Sequence, residues 1–263
     1  MNRAQPTLGI ALRSALYTAL MVITVAPYAI CVVLWSWLPM PRRYRMVLGW
    51  TRFAIEAARV ILGVRWEVRG RENLPDEPAI ILSKHQSVWE TLWFTTFMPR
   101  PLCYVYKHEI HYMPLVGWAM MTLDMIHIDR SRGHDAFEQV AEQGARKLAR
   151  GSWIVIFPEG TRTAPGAEPR YKTGGARLAV RTGAPIIPIA LNSGEIWPRR
   201  KFLKYPGLVT VSIGPLIRVD GLTAEEVAQR VQGWIEGEMR RISPEVYGAQ
   251  AGARAAASRE QAA

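Results

Sequence analysis

The sequence predicts an α/β fold. It has a largely parallel central sheet flanked by helices, preceded by N-terminal membrane-associated helices. Three observations predict it. Residues 14–41 form one uncharged apolar run, residues 42–62 carry a basic amphipathic pattern, and from residue 64 onward short apolar runs alternate with helical stretches. Strand–helix alternation is the signature of a parallel sheet with crossover helices.

The run "SALYTALMVITVAPYAICVVLWSWLPMP" (14–41) is long enough as a helix to exceed the roughly 30 Å hydrocarbon core of a bilayer. It is too long for a signal-peptide core, and no small-residue cleavage site follows it. Pro27 near its middle leaves two arrangements open, a spanning helix with a kink or a re-entrant hairpin. Arg42, Arg43, Arg45, Arg52 and Arg59 follow the run and outweigh Arg3 and Arg13 before it. A spanning helix would therefore leave the rest of the chain on the cytoplasmic side.

In residues 42–62, Met46, Val47, Trp50, Phe53, Ala57, Val60 and Ile61 recur at helical spacing, with Arg45, Arg52, Glu56 and Arg59 opposite. Such a helix either lies in a lipid interface or packs on the following domain. Apolar runs follow at 64–68, 79–82, 102–106, 124–128, 153–157, 186–191 and 208–213, with helical patterns near 88–98, 134–150, 174–182 and 223–241. The chain thus divides into an N-terminal membrane anchor (1–62), an α/β domain (63–245) and a polar, Ala-rich tail (246–263) that reads as disordered.

The net charge of +11 calls for an anionic partner: nucleic acid, acidic lipid or a phosphorylated substrate. Ten Trp and ten Met lean toward lipid. The two cysteines, Cys31 and Cys103, form neither a ligand spacing nor a disulfide framework. "HEIH" (108–111) falls one residue short of the zinc motif, so no metal site is expected.

Ligands gather at the carboxyl ends of parallel strands. In "AIILSKHQSVWETLWF" a histidine, His85, stands in the turn and Glu90 in the first helical turn. Glu90 fits a capping box with Ser87. It equally fits a carboxylate that fixes the tautomer of His85, leaving the other ring nitrogen as a general base for a substrate hydroxyl. "WIVIFPEGTRTAPG" runs from a strand into Pro158, Glu159, Gly160, Thr161 and Arg162, where glycine admits a ligand and arginine grips phosphate. Lys107 and the Asp129–Arg130–Arg132 turn close two further strands. Cations at successive strand ends would form a basic pocket beside His85.

These blocks together resemble the glycerolipid acyltransferase superfamily, and within it the bacterial 1-acyl-sn-glycerol-3-phosphate acyltransferases. "HQSVWE" stands where the family has H-x-x-x-x-D; "KHEIHYMPLVGWAMMTLDMIHIDR", "FPEGTR" and "APIIPIAL" resemble its later blocks, in order. The resemblance spans roughly residues 64 to 215. It implies that His85 deprotonates the hydroxyl of a lysophospholipid, which attacks the thioester of acyl-coenzyme A or acyl-carrier protein. Glu90 would orient His85, standing where the family has aspartate.

The resemblance also puts Lys107 and Arg162 near the substrate phosphate, with Arg130 in support. Glu159 and Gly160 would line the glycerol side, and Thr161 belongs to the same substrate-binding set. No bound cofactor is implied; the acyl thioester is a co-substrate. The implied partners are the lysophospholipid, the thioester donor and the bilayer, with no nucleic acid, and the implied location is the cytoplasmic face of a bacterial inner membrane. Two alternatives stay open: another lysolipid acceptor, such as a lyso-ornithine lipid, and a non-enzymatic binder of anionic lipid or nucleic acid.

Overall fold

The computed structural model describes residues 5–129 and 135–248. Its first element, α1, runs Leu8–Leu34, starting ahead of Arg13 because Thr7 Oγ1 caps Ile10 N at 3.3 Å. The helix continues through Pro27 and ends at Leu34, not at residue 41. The chain then turns, and Pro39 caps α2 (Met40–Ala57), with Pro41 in its first turn. Proline fits there because its missing N–H is one that a helix start leaves unpaired anyway. A single π-helical turn, Ala58–Leu62, closes α2 at Gly63.

Both helices pack on the rest of the molecule. Ser14 Oγ accepts from Lys204 N at 3.0 Å, Tyr17 OH donates to Ala54 O at 3.2 Å, and the Tyr17 ring meets Trp197 edge-on. At the far end of α1, Ala29 and Val32 join Ala119 and Leu123 in a small apolar cluster. The opposite side of α1 leaves Leu12, Leu16, Ile23 and Leu34 exposed. Tyr44 OH of α2 accepts from Leu102 N at 2.9 Å. Among the described residues α1 is the one helix long and apolar enough to cross a membrane.

The sheet contains β1 (Val64–Arg69), β2 (Ile80–Ser83), β3 (Leu102–Lys107), β4 (Ile126–Ile128), β5 (Trp153–Ile156), β6 (Ile186–Leu191) and β7 (Gly207–Ile213). Their order is β1-β7-β6-β2-β5-β3-β4, and every pairing is parallel except β6–β7. Connecting helices are α3 (Trp89–Phe97), α4 (Val116–Thr122), α5 (Asp135–Ala149), α6 (Gly174–Thr182), α7 (Ser193–Ile196) and α8 (Ala224–Ile242).

The central strands are covered on both faces. In β2, Ile81 faces a core shared with Val155, Ile187 and Trp93 of α3, while Ile80 faces one shared with Ile154, Ile186 and Val231 of α8. Ile80 stands level with Ile154 and Ile186 across the ladder. Rows of this kind stabilise by about 1.5–3 kcal/mol per buried side chain. Burial on both faces explains why "AIIL" and "IIPIAL" show no polar alternation. Because β2, β3, β5 and β6 are parallel, their carboxyl ends reach one edge of the sheet. The following segments, Ser83–Val88, Lys107, Phe157–Thr163 and Asn192–Ser193, gather there.

Candidate functional site

The turn after β2 presents His85 and the start of α3 presents Glu90. The carboxylate is buried and makes five polar contacts. Oε1 accepts from Gln86 N and Ser87 N, both at 2.7 Å, and meets His85 Nδ1 at 2.9 Å. Oε2 accepts from Ser87 Oγ at 2.6 Å and Ser193 Oγ at 2.7 Å. Ser87 Oγ in turn accepts from Trp89 N at 2.9 Å. α3 starts at Trp89 with Val88 at its N-cap, so Ser87 and Glu90 do not form the expected capping box; Glu90 instead ties down two N–H groups of the preceding turn and holds the histidine. Glutamate, one methylene longer than aspartate, reaches the imidazole from the first turn of α3.

Burial alone would raise the Glu90 pKa. The His85 hydrogen bond and charge, together with the bonds from Ser87, outweigh it and hold the carboxyl below the usual carboxylate range. An ionised carboxylate only accepts, so His85 Nδ1 carries the hydrogen and Nε2 keeps a free lone pair. The ring stacks on Phe157, with centroids 3.8 Å apart and planes 14° from parallel. Its side chain is 17% exposed, enough to meet a substrate from one side. The arrangement can take a proton from a hydroxyl and stabilise the imidazolium that results.

The turn after β5 supports this one from behind. Glu159 Oε2 accepts from His85 N at 3.0 Å, while Thr163 N donates to His85 O at 2.8 Å. Glu159 Oε1 pairs with Lys84 Nζ at 3.0 Å. Lys84, fully buried, also bonds Glu236 Oε1 of α8 at 2.7 Å and Ala167 O at 2.8 Å. Tyr171 OH donates to the same Glu236 oxygen at 2.8 Å. Burial pushes the Glu159 carboxyl up to about 7 despite the Lys84 charge, with Glu236 adding to the rise. Gln86 Nε2 donates to Tyr247 OH at 2.7 Å, and Tyr247 is buried. Residues 246–248, which the sequence assigns to the tail, are helical with Tyr247 buried behind the site, and the rest of the expected tail lies outside the described residues.

His85 opens on a cavity of about 740 Å³. Its walls are mostly apolar, including Leu92, Val105, Met120, Leu123 and Met125, and reach Val47 and Thr51 of α2. Lys107, Lys172 and Arg177 supply the lysines and arginine of the lining, and among the described residues no Asp or Glu lines it. Gly160 and Thr161, both in the expected substrate-binding set, also line it.

Other expected residues lie elsewhere. Glu159 does not line the cavity: its carboxylate is turned inward to Lys84 and His85 N, since an acid in this site is matched by the buried cation behind it. Arg162 is not part of the lining either; its carbonyl accepts from the Arg199 guanidinium. Arg130 lies outside the described residues. The sequence reading missed Lys84, Ser193 and Lys172. For Lys172 a signal existed, since a cation just ahead of a helix start opposes the helix dipole.

The acyltransferase family profile matches residues 65–192, from β1 to the residue after β6. A 1-acyl-sn-glycerol-3-phosphate acyltransferase of Pseudomonas aeruginosa is 46% identical over 211 residues, covering 79% of this chain and 82% of the relative. The chain belongs to the acyltransferase family. A human 1-acyl-sn-glycerol-3-phosphate acyltransferase alpha is 30% identical, over 72% of this chain and 69% of the relative.

The crystal structure of a 1-acyl-sn-glycerophosphate (LPA) acyltransferase, PlsC, from Thermotoga maritima matches with a TM-score of 0.72 at 23% identity. It covers 88% of this chain and 95% of that one, a likeness of fold. Within this acyltransferase, the matched region holds His85, Glu90, Glu159 and Lys172, whereas α1 and α2 precede it.

Proposed function

We propose that this enzyme moves an acyl chain from acyl-coenzyme A or acyl-carrier protein to the sn-2 hydroxyl of lysophosphatidic acid, giving phosphatidic acid. His85 Nε2 takes the hydroxyl proton as the oxygen attacks the thioester carbonyl. The tetrahedral intermediate collapses, the C–S bond breaks, and the thiolate takes the proton back from the imidazolium. Glu90 holds the ring and balances its charge throughout. The mechanism calls on no metal or bound cofactor.

The observation that carries this reading is the buried Glu90 clamp on His85, facing a cavity that is apolar along its walls and cationic where it is charged. Apolar walls suit an acyl chain, and the cations suit a phosphate. The substrate named for the Pseudomonas aeruginosa relative agrees.

Membrane attachment belongs to the same reading. α1 is docked from Ser14 to Val32, so it lies along the catalytic core and turns Leu12, Leu16, Ile23 and Leu34 outward. A helix tied down over that length would drag the core into the bilayer if it crossed. It instead beds its apolar side in one leaflet, the cytoplasmic leaflet of a bacterial inner membrane, which faces the water-soluble donors.

The test is an acceptor and donor panel in detergent, following thiol release. Release with lysophosphatidic acid above that with lyso-ornithine lipid, lysophosphatidylcholine or monoacylglycerol is expected. No release with lysophosphatidic acid from either donor contradicts the proposal.

A further inference from the structure

We infer that Lys172 binds the phosphate of the acceptor; the inference rests on the reading of the substrate given above. The reacting hydroxyl and the phosphate of a lysophosphatidate are separated only by a short stretch of glycerol carbon chain. The cation that grips the phosphate must therefore sit close to His85. Lys172 meets that condition. Its backbone N–H donates to Pro158 O at 2.8 Å, one residue after the Phe157 ring that stacks on His85.

Its side chain then lies across Gly160. A Cβ built on Gly160 would stand 2.8 Å from Lys172 Nζ and 3.0 Å from its Cε. Gly160 also has φ of +72°, a conformation that glycine adopts freely. The glycine is thus needed twice, for the turn and for the path of the lysine. Glu159, its neighbour, bonds His85 N at 3.0 Å. The ammonium is held over the loop that supports the base.

The other cations fit the role less well. Arg177 has its guanidinium stacked 3.9 Å from the Phe137 ring centroid. Arg162 does not line the cavity. Lys107 lines it from the end of β3, ahead of the 3-10 helix His108–Tyr112, and not from the loop that supports His85. Lys172 is exposed and has no ion pair among the described residues, so its charge is available to a ligand.

The same chemistry could serve the phosphates of a coenzyme A donor, so the experiment separates the two. Lys172→Met and Lys172→Arg are compared with the unmodified enzyme for the KM of lysophosphatidic acid and of acyl-coenzyme A. Monoacylglycerol serves as a phosphate-free acceptor, and a thermal melt confirms folding. Lys172→Met should raise the lysophosphatidic acid KM by about 10- to 100-fold, the worth of one charged hydrogen bond. It should leave the donor KM unchanged and shrink the preference over monoacylglycerol by the same factor, and Lys172→Arg should recover most of the loss. An unchanged acceptor KM, or a rise in the donor KM instead, overturns the inference. Failure of the broader reading looks different: the unmodified enzyme would then show no preference for the phosphate-bearing acceptor.

Discussion

Replacing Glu90 with glutamine removes a charge while keeping the shape. The amide oxygen can still accept from Gln86 N, Ser87 N and His85 Nδ1, the three donors on Oε1. The amide nitrogen would face the Ser87 and Ser193 hydroxyls, which rotate to accept. The contacts survive in number but lose their ionic assistance. Charge-assisted bonds are about twice as strong as neutral ones, so the variant should be destabilised by about 1–3 kcal/mol and remain folded.

The effect on rate should be larger. With 2.9 Å between Nδ1 and Oε1, the imidazolium formed during reaction loses a countercharge at close range. Near a protein surface such a pair is worth about 4 kcal/mol at about 4 Å. At about 1.4 kcal/mol per decade, turnover should fall by about three orders of magnitude. Steady-state thiol release at saturating acceptor and donor measures kcat, and KM for both substrates should stay within about threefold. A Glu90→Gln enzyme with full kcat refutes the reasoning and leaves Glu90 as a support for the turn alone.

Three other outcomes follow from the same structure. Lys84→Met strips the shared cation from two buried carboxylates, Glu159 and Glu236; thermal unfolding should show a loss of about 3–5 kcal/mol, and an unchanged melt contradicts it. Glu159 has a folded pKa of about 7 against 4.5 for the free group, so the folded state holds an extra proton between those values. Stability should then fall as pH rises from about 4.5 to 7, by about 3 kcal/mol from this group, and Glu159→Gln should flatten that slope in denaturant titrations. Glu90, with its lowered pKa, acts in the other window: its contribution is present above the free value and is lost as pH falls through the folded one. Finally, Leu12→Glu with Leu16→Glu, both on the exposed side of α1, should move the protein from the vesicle fraction to the soluble fraction in flotation; full retention on vesicles contradicts the interfacial placement.

Much of this molecule was legible in the chain. The strand "IIPIAL" forms β6 over Ile186–Leu191 as read, because a strand buried on both faces writes itself as an unbroken apolar run. His85 and Glu90 were legible because a turn and a first helical turn fix their distance locally. What escaped depends on contacts far apart in sequence. That Glu159 faces inward is decided by Lys84 and by Glu236 of α8, which no local pattern connects to it. The reversed direction of β7 and β1 comes from the β6–β7 pairing. The uncharged run 14–41 does not give the bounds of α1, Leu8–Leu34, because a single charge such as Arg13 on an exposed helix side does not stop a helix.

The account stands on His85 as the base. The most direct measurement is the rate of thiol release by His85→Ala with lysophosphatidic acid and an acyl thioester, alongside vesicle binding by the same variant. Turnover should fall by about two to four orders of magnitude while vesicle binding and the melting temperature hold. Turnover within about threefold of the unmodified enzyme would contradict the account.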